Sequence, residues 1–97
     1  MGCAVYLENQ IHKREYAGSE VSEKFSLVLA ESGEGGLLRY VDPYGDTIFN
    51  VPQLYDLIEE VNEISAASPE VREAANLVIE VIWRVIRRRG YLAILGD

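Results

Sequence analysis

From Val71 to Arg88 the apolar positions recur at intervals of three and four residues, which predicts a long amphipathic helix. At 100° per residue, Val71, Ala74, Ala75, Val78, Ile79, Val81, Ile82, Trp83, Val85 and Ile86 cover an arc of roughly 200°, twice the stripe of an ordinary surface helix. Such an arc needs two burial partners: a sheet beneath and a flanking helix, or a second subunit. Ser68 suits the N-cap and Pro69 the first turn, while Gly90 is a natural residue just past the end. Glu80 and Arg84 stand four apart in the favourable order.

The remaining elements are shorter. Ala4 to Glu8 reads as a strand, and residues 9 to 20 are polar without a period, with a bend at Ala17-Gly18-Ser19. Phe25, Leu27 and Leu29 alternate with Ser26, Val28 and Ala30, which favours a strand. Val21, Phe25, Val28 and Leu29 also fit one face of a helix capped by Ser19, so that choice stays open. Leu37 to Val41 and Thr47 to Asn50 read as two strands of a hairpin around the turn Asp42-Pro43-Tyr44-Gly45. Asn50 and Pro52 open a helix reaching about Ile64, with Leu54, Leu57, Ile58 and Val61 on its buried face. Ser65 to Ser68 is a short linker. Tyr91 to Leu95 is a terminal strand so apolar that cover on both faces is expected. The order predicts one α+β domain of two layers, a mostly antiparallel sheet with two helices packed on one face. Its last strand returns beside an early strand or enters a partner subunit.

Ninety-seven residues, 48% of them hydrophobic, describe a small globular chain for which oligomerisation would be a material gain. A net charge of −7 argues against nucleic acid and anionic membrane as partners. No apolar run approaches a membrane span, and no signal core follows the start. Met1-Gly2-Cys3 resembles the opening of acylated chains, but Tyr6 stands where that pattern wants Ser or Thr, so no lipid is expected. The single cysteine, Cys3, excludes an internal disulfide and fits a reducing cytoplasm.

Catalytic and metal-binding patterns are weak. His12 lies among polar residues beside Lys13 and Arg14, and reads as a solvated surface histidine; a pairing with Cys3 would need proximity. Asp42 and Asp46 flank the turn and are read as serving it rather than sharing a cation. The glycines at 33, 35 and 36 lack phosphate-loop spacing, and Arg87 to Arg89 read as helix capping. No cofactor, metal or enzymatic activity is expected.

The sharper pattern is acidic. From Asp42 to Glu63 there are six acids and no Lys or Arg, and Asp56, Glu59, Glu60 and Glu63 share one helical face. Like charges at these spacings cost a few tenths of a kcal/mol each, so a chain selected for stability alone would intersperse lysines. With Tyr40, Tyr44, Asp46 and Tyr55, these acids form a candidate face for docking a basic protein. A second candidate, for a homodimer or an aromatic-lined ligand cleft, is Ile79, Ile82, Trp83 and Ile86.

The run from Arg39 to Asn50, RYVDPYGDTIFN, followed by an amphipathic helix, resembles a segment of small uncharacterised bacterial proteins, some of them mobile-element cassette products or immunity-like proteins. The resemblance spans about a quarter of the chain and carries no catalytic residue. It implies a bacterial cytoplasmic binding protein; the acidic helix and the hairpin tyrosines make a basic toxin one expected partner.

Overall fold

A computed structural model describes residues 2–96; Met1, the first residue of the acylation-like pattern, lies outside them. The elements run β1 (Ala4–Glu8), β2 (Arg14–Tyr16), α1 (Ser19–Glu31), a 3-10 turn (Leu37–Tyr40), β3 (Asp46–Phe49), α2 (Val51–Ile64), α3 (Pro69–Arg87) and β4 (Tyr91–Leu95). The four strands form one antiparallel sheet in the order β2-β1-β4-β3, and the fold is α+β. β4 returns beside β1 in the centre of the sheet, with Val5 opposite Ile94 and Leu7 opposite Leu92.

The helix layer contains three helices where two were expected. Residues 19–31 are helical, not a strand. Over thirteen residues the helical period wins: Val21, Ser22, Phe25 and Val28 are buried on one side. The alternation of Phe25, Leu27 and Leu29 is too short a window to decide. Gly18, not Ser19, is the N-cap residue.

α3 packs between α1 and α2 and over β4, which accounts for its wide apolar arc without a second subunit. Val71, Ala74, Ala75, Val78, Val81, Ile82, Val85 and Ile86 are all buried there. Ser68 caps its start, the hydroxyl accepting from Val71 N at 3.1 Å. Its end departs from expectation. Arg89, at φ 56°, takes the left-handed position, with Arg89 N–H donating to Ile86 O at 3.0 Å and Gly90 N–H to Val85 O at 3.2 Å, the Schellman pattern. Gly90 is needed for a different reason: a Cβ there would collide with the Glu8 carbonyl.

The expected hairpin over residues 37–50 does not form. The turn at Asp42–Gly45 is present, with Tyr44 N–H donating to the Asp42 carboxylate at 2.8 Å. β3 pairs with β4 instead, and Leu37–Tyr40 winds into a 3-10 turn whose Leu38 is fully buried. β4 is covered by helices on one face only, through Leu92 and Ile94. On the other face Ala93 is buried between its register neighbours Tyr6 and Ile48, with no second layer above. The polar stretch hides the short edge strand β2, which pairs Tyr16 with Tyr6 and Arg14 with Glu8.

Candidate functional site

α2 presents the acidic face. Asn50 closes a capping box with Gln53, its side chain accepting from Gln53 N at 3.0 Å while Gln53 Oε1 accepts from Asn50 N at 2.9 Å. Leu54, Leu57, Ile58 and Val61 turn into the core, which aims Tyr55, Asp56, Glu59 and Glu63 at solvent. Among the described residues, Asp56, Glu59 and Glu63 form no ion pair. A cleft of about 630 Å³ extends the acidic surface, placing Glu31 at the end of α1 beside Glu60 and Glu63.

Glu60 has a different role from its neighbours. It is half-buried, and its carboxylate accepts from Leu37 N at 2.6 Å and Leu38 N at 3.3 Å, holding the start of the 3-10 turn. Gly36 leaves room for this, since a Cβ there would overlap the carboxylate. Glu60 is therefore committed within the chain and not free to meet a partner. The same contact pulls the turn onto α2 and brings Tyr40 into one cleft with Asp56 and Glu59. Arg39 enters that cleft too, a basic residue the linear pattern did not associate with this face. Its guanidinium lies 4.7 Å from the Tyr40 ring centre and donates to the Tyr40 hydroxyl at 2.6 Å.

Beside the acids, Tyr55 of α2 meets Trp83 of α3 edge to face, with centroids 5.9 Å apart; both rings stay well exposed. Ile79 is half-buried, while Ile82 and Ile86 are spent in the core and cannot line a dimer or ligand face. Tyr44 is 76% exposed on its turn, apart from the Tyr40 cleft. Asp46 is diverted to the sheet, where its carboxylate lies 3.5 Å from Arg14.

That contact belongs to a charged network on the open face of the sheet, which the linear pattern does not show. Glu8 is only 4% exposed. It accepts from Arg14 Nε at 2.6 Å and contacts His12 Nδ1 at 2.8 Å. These bonds, the one with His12 first, hold its carboxyl below the ordinary carboxylate range, against the opposing effect of burial. The bond to Glu8 likewise raises the Arg14 guanidinium. Arg14 and Asp46 stand on the two outermost strands and at opposite ends in register, Arg14 opposite Glu8 and Asp46 opposite Leu95, so their contact spans a diagonal of the sheet that its twist draws together. Cys3 lies at the opposite end of β1 from Glu8, its Sγ 3.6 Å from Ser26 Oγ, and does not pair with His12. The signal for the network was the match of Glu8 with Arg14 across a tight turn, legible only once β2 is recognised.

No protein-family model, curated protein or solved structure matches the chain. Among the described residues, no helix is long and apolar enough to cross a membrane, and no three His, Cys, Asp or Glu side chains converge as metal ligands.

Proposed function

We propose that this protein is a non-enzymatic interaction module of a bacterial cytoplasm that docks a basic protein through the acidic face of α2, in the manner of an immunity protein or antitoxin. The observation that carries the reading is the set of exposed carboxylates of Asp56, Glu59 and Glu63, in no ion pair among the described residues, beside the exposed rings of Tyr40, Tyr55 and Trp83. Charge of one sign speeds encounter with an oppositely charged partner, and aromatic groups at the rim supply contact area at low entropic cost. The test is affinity capture from the source cells with the native chain and with a variant carrying Asp56→Lys, Glu59→Lys and Glu63→Lys. A basic protein retained by the native chain and lost by the variant is the expected result. Equal retention by both would remove α2 from the account.

A second reading rests on the exposed Tyr55–Trp83 pair, which could seat a second copy or a small apolar ligand. Trp83 is the only tryptophan, so its fluorescence reports on that pair alone. A dimer mass in native mass spectrometry with a shifted Trp83 emission would favour this reading; a monomer with unchanged emission would count against it.

A further inference from the structure

We propose that His12 is a phosphoryl-acceptor site, with Nε2 as the nucleophile, presented on the β1–β2 turn to a donor carrying a phosphorus–nitrogen bond. The first observation is its place in the turn. His12 N–H donates to Asn9 O at 3.0 Å and Asn9 N–H to Lys13 O at 2.9 Å, closing a three-residue hairpin loop with His12 at φ 64°. That left-handed position ordinarily takes glycine, because a side chain there is strained. Here it holds the single histidine of the chain.

The second observation is how the ring is held. An ionised carboxylate only accepts hydrogen bonds, and Glu8 is kept ionised by Arg14, so the 2.8 Å contact requires His12 Nδ1 to be the donor. In the neutral ring this fixes the tautomer, with the proton on Nδ1 and the lone pair on Nε2. The imidazole also stacks on Tyr91, with centroids 5.8 Å apart and planes inclined by 23°. Asn9 pins the loop further, its side-chain oxygen accepting from Ile11 N at 3.0 Å and Lys13 N at 2.9 Å. A histidine serving only as a solvated surface group needs none of this.

The third observation is access and charge. The His12 side chain is 71% exposed, beside a cleft lined by Glu8, Asn9, Lys13 and Arg14, and that exposure suits an acceptor inserted into the active site of another protein. Lys13 adjoins it, and the loop touches the end of α3 through Gln10 Nε2 donating to Arg89 O at 3.3 Å, next to Arg87 and Arg88. Of the basic residues on this turn, on β2 or at the end of α3, Arg14, Arg84 and Arg88 are paired with Glu8 and Asp46, with Glu80 and with Glu15, while Lys13, Arg87 and Arg89 form no ion pair among the described residues; these three favour an anionic donor over a neutral acyl donor.

In the step, the Nε2 lone pair attacks phosphorus as the phosphorus–nitrogen bond of the donor breaks. The donor nitrogen, protonated from water before the bond breaks, leaves as the neutral amine; Nδ1 keeps its own proton, hydrogen-bonded to Glu8, whose charge stabilises the cationic phosphoimidazole. No electron transfer is involved.

Potassium phosphoramidate is the probe. The native chain is incubated with it near neutral pH and followed by intact mass, and the modified nitrogen is assigned from the long-range proton–nitrogen couplings of the single imidazole. One phosphoryl group on Nε2 is expected, at a rate on the order of tenfold above that of the same chain unfolded in urea, and falling by about as much in Glu8→Gln. Labelling no faster in the native chain, or at Nδ1 or lysine, would overturn the proposal. The native-against-unfolded comparison needs no variant, so it decides the matter even where Glu8→Gln does not fold.

Discussion

Glu8 and the acids of α2 are treated in opposite ways. Glu8 is taken out of water and supplied with two nitrogen partners within 2.8 Å, at the cost of placing His12 in a left-handed conformation. Asp56, Glu59 and Glu63 are left in water beside one another, with no cation paired to them among the described residues. The chain thus neutralises a carboxylate where the fold needs it. On α2 it forgoes the lysines that would relieve repulsion. Glu60 stands between the two cases: it belongs to the acidic face by periodicity and to the interior by its bonds to Leu37 and Leu38. Charge on the sheet serves the fold, and charge on α2 is available to a partner.

The largest effect should come from Glu8→Ala. Arg14 and His12 lose their shared acceptor, and the unfolding free energy from urea denaturation should fall by about 2–3 kcal/mol, somewhat below the full cost of orphaning a buried charge because Arg14 still reaches water. A loss no greater than that of Glu59→Ala would erase the contrast. The same pairing sets an acid response. A carboxyl held below its unfolded value contributes stability above the ordinary carboxylate range. That stability is lost as the pH falls through the lower folded value. Circular dichroism across that acid range should show a transition that Glu8→Gln flattens.

Next in size is Glu60→Gln, which leaves one neutral acceptor for the two backbone N–H groups of Leu37 and Leu38 and turns an NH2 donor toward the other. It should cost about 1 kcal/mol, with faster hydrogen exchange at Leu37 and Leu38 as its signature. Arg89→Gly should act in the other direction. It relieves the left-handed residue at the end of α3 and should raise stability by about 0.5–1 kcal/mol in thermal unfolding; a loss there would mean the Arg89 side chain outweighs its backbone strain. The smallest effect on folding should be that of the Asp56, Glu59 and Glu63 reversal to lysine, within about 0.5 kcal/mol of the native chain. A large destabilisation would place these acids among the structural ones.

The legible parts of the fold are those written locally. α2 and α3 carry their caps in sequence, Asn50 with Gln53 and Ser68 with Pro69, and long apolar periods between their ends. The parts that a local pattern does not show depend on distant residues. Leu37–Tyr40 has the composition of a strand but is wound by the Glu60 carboxylate, twenty-three residues away from Leu37. β2 is polar throughout and exists only in register with β1. α1 carried both periods in a short window, and its burial against α3 decides between them. The candidate site divides along the same line. The spacing of Asp56, Glu59 and Glu63 marks one helical face directly. The diversion of Glu60 and Asp46, the recruitment of Arg39 and the Glu8–His12–Arg14 network follow from tertiary contacts that no local pattern encodes.

The most direct test of the account is the association rate of the native chain with its captured partner, measured at low and at physiological ionic strength alongside the Asp56, Glu59 and Glu63 reversal. Electrostatic steering by α2 predicts a native rate that falls on the order of tenfold as salt rises, and a reversed chain that binds more slowly with little salt dependence. Equal rates and equal salt dependence in the two chains would contradict the claim that the acidic face of α2 is where the partner docks.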